Sequence, residues 1–107
     1  MYELEYWFEH GGFCLWSNNN ETREKYGYAV DFRDLPISNQ LINELKTLEN
    51  EYGTILNWDE PNGPLLWNNE KKQDFVNRAT VVYDKLTAEL QDEYYIYNEI
   101  FSCVPFD

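Results

Sequence analysis

Basic side chains are scarce in this sequence of 107 residues, which has 8 Lys and Arg against 20 Asp and Glu. The formal net charge at pH 7 is therefore -12. A chain this acidic repels phosphate backbones and anionic membranes, so nucleic acids and membranes are excluded as binding partners. A basic protein, by contrast, would be attracted. Because many proteins are acidic simply for solubility, the charge alone leaves the identity of a partner open.

Histidine and cysteine are also scarce: His10 is the only histidine, and Cys14 and Cys103 are the only cysteines. A Ser-His-Asp or Cys-His arrangement would have to use His10, and no Gly-x-Ser-x-Gly motif is present. No spacing favours a zinc site, and there is no phosphate-binding, dinucleotide or calcium loop. We therefore predict a protein that is not an enzyme and has no metal and no cofactor. A catalytic pair among the 20 acids is neither excluded nor identifiable.

Long apolar runs are missing as well. No segment approaches the ~20 apolar residues of a membrane span. Residues 1–5 lack the positive and apolar regions of a signal peptide. The sequence therefore predicts a cytoplasmic protein.

In a cytoplasmic protein, the two distant cysteines are expected to be reduced structural thiols. A disulfide would require their Cα atoms to lie within about 7 Å, which the sequence does not determine.

Aromatic residues, by contrast, are plentiful. The chain has four Trp, nine Tyr and six Phe, and 43% of its residues are hydrophobic. These large side chains can build a core despite the short length, so disorder is not expected. The length predicts one domain that covers residues 1–107.

The strongest periodic pattern runs from Asn68 to about Gln91. Asn68 can cap the first turn of a helix there, after the helix-incompatible pair Gly63-Pro64. At 1.5 Å per residue this helix is roughly 34 Å long, enough to span the domain. Its predicted apolar face consists of Phe75, Ala79, Val82, Tyr83, Leu86 and Leu90.

A second helix is predicted over residues 39–52, with Ser38 as its N-cap and Gly53 at its end. A shorter helix is predicted over residues 21–26. Because the two main helices each have one apolar face, we expect them to pack against each other in antiparallel orientation. The apolar face of the second helix consists of Leu41, Ile42, Leu45, Leu48 and Tyr52.

Three segments are predicted to form a sheet. A first strand is predicted over residues 2–9, because Tyr2, Leu4 and Tyr6 alternate with Glu3 and Glu5, which is typical of a half-buried strand. Gly11 and Gly12 provide the positive φ values of a turn into a returning strand at residues 13–16. Residues 95–101 are rich in β-forming side chains and predict a final strand. The fold class is therefore α+β, with a small, mostly antiparallel sheet, made of the hairpin and the C-terminal strand, and two main helices packed on it.

The stretch over residues 53–67 cannot form a regular element because of its prolines and glycines. It nevertheless contains Trp58 and Trp67, and burying one tryptophan contributes several kcal/mol, at ~25 cal/mol per Å² over 150–250 Å². Two interpretations remain open. The tryptophans either pin a loop over the core, or they belong to an aromatic and acidic docking surface.

For the second interpretation, we predict a partner-binding surface at the end of the domain formed by this loop and the start of the long helix. Tryptophan is enriched among binding hot spots, and exposed carboxylates steer a basic partner. An alternative surface is the face of the strands around Glu3, Glu5 and Glu99. The candidate partner-binding residues are Trp58, Asp59, Glu60, Trp67, Glu70 and Asp74.

Five spaced motifs of aromatic and turn residues occur between Gly12 and Trp67. They are Gly12-Phe13-Cys14-Leu15-Trp16, Tyr26-Gly27-Tyr28-Ala29-Val30-Asp31, Leu35-Pro36-Ile37-Ser38, Leu56-Asn57-Trp58-Asp59-x-Pro61 and Gly63-Pro64-x-x-Trp67. In these motifs the chain resembles small acidic bacterial proteins encoded beside toxin genes, including the immunity proteins of contact-dependent growth inhibition systems. The resemblance extends roughly from Gly12 to Tyr95 and brings no catalytic residue with it.

The resemblance implies a cytoplasmic inhibitor that binds one toxin domain, commonly a nuclease, and masks its active site. The expected complex is a 1:1 heterodimer with a cationic toxin. Two alternatives remain: a nucleic-acid mimic that blocks a host nucleic-acid-binding protein, and a small enzyme of unknown activity. A mimic needs carboxylates spaced like phosphates along one face, and it should compete with nucleic acid for several unrelated proteins.

Overall fold

The structure is a computed structural model that describes residues 1–106. No helix within these residues is long and apolar enough to cross a membrane. Two short 3-10 turns, Phe32–Asp34 and Gln91–Glu93, join larger elements. In chain order, the strands and helices are β1 (Tyr2–Tyr6), β2 (Leu15–Ser17), α1 (Asn20–Tyr26), α2 (Asn39–Tyr52), α3 (Asn69–Leu90), β3 (Tyr94–Asn98) and α4 (Ile100–Cys103).

The predicted α+β class is confirmed, and the sheet is mixed rather than mostly antiparallel. Its strand order is β2-β1-β3, so the first strand of the chain lies in the centre. β1 pairs with β2 in antiparallel orientation and with β3 in parallel orientation. The parallel register places Tyr2 opposite Tyr94 and Tyr6 opposite Asn98.

The direction of β3 follows from the path of α3. The Tyr6 hydroxyl donates a hydrogen bond to the Ala79 carbonyl, so the middle of α3 lies over the end of β1. The helix then runs back along the sheet and ends at Leu90, from which a 3-10 turn leads into Tyr94 beside Tyr2. β3 therefore starts where β1 starts. The sequence does not specify the end of the sheet at which α3 begins, so it leaves this direction open.

The hairpin forms with a shifted second strand. β1 ends at Tyr6 rather than at residue 9, and β2 covers Leu15–Ser17 rather than residues 13–16. Beyond the end of β1, two more backbone hydrogen bonds join the arms of the hairpin. Trp7 N donates to the Cys14 carbonyl and Glu9 N donates to the Phe13 carbonyl. Of the two glycines in the turn, only Gly12 has a positive φ, at 111°.

Helix α3 is the long helix predicted by the apolar periodicity. The Asn68 side chain accepts a hydrogen bond from Lys71 N and caps its first turn, as expected. All predicted apolar residues except Tyr83 are buried, and Tyr83 is half-buried. Two further buried side chains, Val76 and Lys72, were not part of the predicted face.

Helices α2 and α3 pack in the predicted antiparallel orientation. The first residues of α2 meet the end of α3, since the Glu89 carboxylate accepts hydrogen bonds from the backbone N and the Oγ of Ser38. The end of α2 meets the first half of α3 through an ion pair between Glu51 and Arg78. Both helices lie on the sheet face that Tyr6 points toward, which leaves the opposite face without a long helix.

The C-terminal strand is shorter than predicted. It ends at Asn98, and Ile100–Cys103 form the helix α4 instead of continuing a strand to residue 101. The Asn98 side chain accepts a hydrogen bond from Ile100 N, a local interaction that turns the chain out of the sheet. Ile100 is then buried against the core. The β-forming composition of this segment did not indicate this turn.

Candidate functional site

The two tryptophans of the 53–67 loop have different environments. Trp67 is only 7% exposed, packs against the rings of Tyr52 and Phe75, and donates a hydrogen bond from Nε1 to the Thr54 Oγ1. It therefore pins the loop to the core, which is the first of the two interpretations. Because so little of its surface is exposed, Trp67 supports the candidate surface from below rather than offering a contact itself.

Trp58, in contrast, is 60% exposed. Its Nε1 donates a hydrogen bond to the Gly53 carbonyl at 2.9 Å, and its ring lies edge-on to His10 with 6.2 Å between the ring centroids. The indole is thus held in one orientation while most of its surface faces solvent. A large, ordered and exposed aromatic side chain of this kind is typical of a binding hot spot.

Asp59 and Glu60 follow Trp58 in a turn and are both exposed. The turn is stabilised by Asn57, whose side chain accepts a hydrogen bond from Asp59 N and whose carbonyl accepts one from Glu60 N. Neither carboxylate forms an ion pair within residues 1–106. Their negative charge is therefore uncompensated and open to a partner.

Glu70 and Asp74 are exposed on the first turns of α3, as predicted. Asp74 forms an ion pair with Arg78 at 2.8 Å, and Arg78 also pairs with Glu51. The two carboxylates raise the pKa of the Arg78 guanidinium above its usual range, with Glu51 as the larger cause. The charge of Asp74 is thus partly compensated within the chain, whereas the two carboxylates of the loop are not.

A second surface lies on the side of the sheet that faces away from α3. Glu3 and Glu5 of β1 alternate with the buried Leu4 and Tyr6, and they sit opposite Tyr95 and Tyr97 of β3. We call this the outer sheet face and define it by Glu3, Glu5, Trp7, Trp16, Tyr95 and Tyr97. The alternation in residues 2–6 predicted one exposed side of the strand, and the parallel pairing adds Tyr95 and Tyr97 to that side.

The side chains of the outer sheet face are ordered by contacts among themselves. Trp7 and Trp16 stack with 4.4 Å between ring centroids, and the Tyr97 hydroxyl donates a hydrogen bond to Glu3 Oε1 at 2.8 Å. Tyr95 lies edge-on to Tyr97 and is 51% exposed. The face therefore presents the rings of Trp7, Tyr95 and Tyr97 beside its carboxylates, while Trp16 is only 5% exposed.

A depression of about 460 Å³ connects this face to the 53–67 loop. His10 is the connecting residue, because its ring stacks on Tyr52 on one side and meets Trp58 on the other. The depression is lined by Glu5, Trp7, Phe8, His10, Tyr52, Glu99, Ser102 and Cys103. None of these residues is Lys or Arg, so the depression is negatively charged.

A larger groove of about 840 Å³ runs between α2 and α3. Leu48 and Val82 form its floor, and Val81 is 54% exposed at its wall. Its charged groups compensate one another, since Lys85 pairs with Glu44 and Arg78 with Glu51. This groove is therefore apolar and nearly neutral, unlike the depression beside His10.

The candidate nucleophiles are poorly suited to catalysis. Burial raises the pKa of the Cys14 thiol well above its usual value, and the nearby Glu49 carboxylate raises it further. Burial also raises the pKa of the Cys103 thiol. Both cysteines are free thiols that remain protonated at neutral pH, and a thiol is a weak nucleophile. Within residues 1–106, no group of three His, Cys, Asp or Glu side chains is placed to hold a metal ion.

Comparison with known protein families matches residues 2–99 to the family described as Serratia CdiI immunity protein-like. The match includes all three strands, α1 to α3 and the 53–67 loop. Comparison with curated proteins finds no match.

Proposed function

Because this chain belongs to the Serratia CdiI immunity protein-like family, we propose that it exerts its immunity role as a one-domain cytoplasmic inhibitor that binds one cognate toxin domain in a 1:1 complex and masks its active site. We further propose that the toxin is a basic nuclease. Uncompensated acidic charge carries this second step: the net charge is -12, and exposed carboxylates such as Asp59 and Glu60 have no ion-pair partner within the described chain.

The physical reason is charge complementarity. A nuclease needs a cationic active-site surface in order to bind phosphate groups. An inhibitor that presents carboxylates at the same surface competes with the nucleic acid and is steered toward it, which raises the association rate above the unsteered ~10⁵–10⁶ M⁻¹s⁻¹. The inhibitor itself needs no catalytic group, and the protonated, buried Cys14 thiol is consistent with this non-enzymatic role.

We propose that contact begins at the loop patch, which we define as the exposed residues Trp58, Asp59, Glu60, Glu70 and Asp74 supported by the buried Trp67. Trp58 supplies the apolar anchor, because it is fixed by a hydrogen bond and yet mostly exposed. The carboxylates around it supply charge. Hot spots combine these two features, a rigid aromatic side chain and charged groups that become desolvated.

The test is protection on co-expression. The toxin gene adjacent to the gene for this chain is expressed in bacteria with and without it, and with an unrelated toxin as the control. We expect growth to be restored only with the adjacent toxin, and the two purified proteins to form a 1:1 complex. A neighbourhood without a toxin gene, combined with no protection against any co-expressed toxin, would rule out the proposal.

Two further experiments test the two alternatives. A nucleic-acid mimic is expected to compete with duplex DNA for several unrelated basic proteins, whereas an immunity protein recognises one toxin. For the enzyme alternative, the triple variant of His10, Cys14 and Cys103 to alanine is tested for protection. Full protection by a folded triple variant removes the histidine and both cysteines from consideration as catalytic groups.

A further inference from the structure

We infer that the toxin interface extends from the loop patch across the depression at His10 onto the outer sheet face, and that this face receives a cationic surface of the toxin that presents arginine side chains. The inference rests on the proposed function and adds to it a second contact surface and the chemistry of the partner there. It concerns residues that the 53–67 loop does not include.

The first reason is area. A stable protein interface buries roughly 800 Å² on each partner, from about 20–30 residues. The loop patch offers only the exposed side chains of one turn and the beginning of α3, which is too few. The interface must therefore continue onto neighbouring surface. His10 touches Trp58 on one side and lines the depression with Glu5 and Glu99 on the other, so the continuous path leads to the sheet.

The second reason is charge. The three strands contain no Lys or Arg, and the outer sheet face presents Glu3 and Glu5, with Glu99 at the adjoining depression. The other large concave surface, between α2 and α3, instead presents Arg78 and Lys85 in ion pairs. A cationic partner would meet positive groups at that groove and only negative ones at the sheet.

The third reason is the placement of aromatic rings among the carboxylates. A guanidinium group forms bidentate hydrogen bonds with a carboxylate and also stacks on the face of an aromatic ring, whereas a lysine ammonium makes only the point-charge contact. Tyr95 is 51% exposed, and it lies edge-on to Tyr97, which sits opposite Glu5 in the sheet. These neighbours provide both kinds of contact, so the face suits arginine better than lysine.

The test uses variants of the outer sheet face and of the adjoining depression, all at positions outside the buried core. In the double variant Glu5→Gln with Glu99→Gln, two charges are lost and the side-chain volumes are kept. In the single variant Tyr95→Ala, an exposed ring is removed. The matched control is the double variant Asp34→Asn with Asp84→Asn, which loses the same charge at exposed positions on other elements. Affinity for the purified product of the adjacent toxin gene is measured by calorimetry at low and high salt.

We expect the Glu5 and Glu99 variant to bind at least about tenfold more weakly and with a smaller salt dependence, and Tyr95→Ala to lose about 30-fold, as for an interface hot spot. The control is expected to remain within about threefold of wild type, since it changes only long-range steering. Circular dichroism verifies that every variant is folded.

The possible outcomes separate a failure of this inference from a failure of the proposed function. If wild type binds the toxin and both outer-face variants bind as tightly as the control, the sheet is not part of the interface, while the proposed function stands. If wild type itself neither binds nor protects, the proposed function fails and this inference fails with it.

Discussion

The imidazole ring of His10 stands edge-on to the indole of Trp58, at 87° and 6.2 Å between the ring centroids, and stacks at 5.2 Å on the ring of Tyr52. The end of the N-terminal hairpin is thereby in contact with the loop that precedes α3. His10 is the only histidine of the chain, and its two ring contacts link the hairpin to this loop. It places the loop patch next to the depression of the sheet.

The two tryptophans of the loop are expected to respond in opposite ways to truncation. Trp67→Ala should lower the free energy of unfolding by about 3–5 kcal/mol, because it removes a buried ring from the core. Trp58→Ala should change it by no more than about 1 kcal/mol but weaken toxin binding by about 30-fold or more. Chemical denaturation and calorimetry measure the two effects. Unchanged affinity for Trp58→Ala would show that the loop patch is not the anchor.

Reversing the charge of the loop patch is expected to weaken binding strongly. The fourfold variant of Asp59, Glu60, Glu70 and Asp74 to lysine should lose on the order of 100-fold in affinity and most of the salt dependence of the association rate. The control reverses four exposed acids elsewhere and so has the same net charge. Its positions are Glu24, Asp34, Asp84 and Asp92. If both fourfold variants weaken binding equally, only the overall charge matters. If the loop-patch variant binds as tightly as wild type, the interface lies elsewhere.

Leu86 is fully buried in the C-terminal part of α3, and Leu86→Ala is expected to cost about 2–5 kcal/mol in the free energy of unfolding as a cavity variant. Val81→Ala on the same helix is the control, since Val81 is 54% exposed and its truncation should cost no more than about 0.5 kcal/mol. Urea denaturation gives both values. Equal costs at the two positions would contradict the packing of α3 described above.

Glu49 is expected to make stability depend on pH. Burial raises the pKa of its carboxyl to about 7, from the usual value of 4.5. Between these values the folded protein retains a proton that the unfolded chain has already released, so the contribution of this group to stability falls as the pH rises. Above about pH 7 the loss is complete.

The variant Glu49→Gln cannot ionise and should escape this loss. Its free energy of unfolding relative to wild type is therefore expected to increase between pH 5 and pH 8. Comparing variant with wild type at each pH cancels the effect of the remaining carboxylates. The measurement is chemical denaturation at several pH values, and a difference that does not vary with pH would show that Glu49 titrates normally in the folded protein.

The two long helices were predictable because local signals and burial agree. Asn68 and Ser38 are capping residues that accept hydrogen bonds from the first turns of α3 and α2. Most residues of the two predicted apolar faces are buried, and the other two, Ile42 and Tyr83, are half-buried. The capping residues and the apolar periodicity lie within the segment that forms each helix, so both helices can be predicted without knowledge of the tertiary structure.

The arrangement of the strands was not predictable in the same way. The direction of β3 depends on where α3 lies on the sheet, which is a tertiary property. The end of β3 depends on one hydrogen bond, from Ile100 N to the Asn98 side chain, which competes with a segment of strong β propensity. Local composition contains neither piece of information.

The candidate site was predictable only as a region. Trp58 and Trp67 look equivalent in the sequence, because both lie in a segment rich in glycine and proline. Trp67 becomes buried because its neighbours Tyr52 and Phe75 come from α2 and α3. Trp58 stays exposed because the loop turns outward at Asn57. The distinction depends on contacts between distant segments.

The pairing of β1 with β3 has a consequence for biosynthesis. The central strand β1 precedes both of its partners in the chain, so synthesis must pass residues 94–98 before the three-stranded sheet can be completed. Until then β1 can pair along one edge only, with the short strand β2. Such non-local pairing slows folding, because the chain between the strands must be ordered before the contact is made. A newly made chain therefore completes its sheet late in folding, after all of α3 has been synthesised.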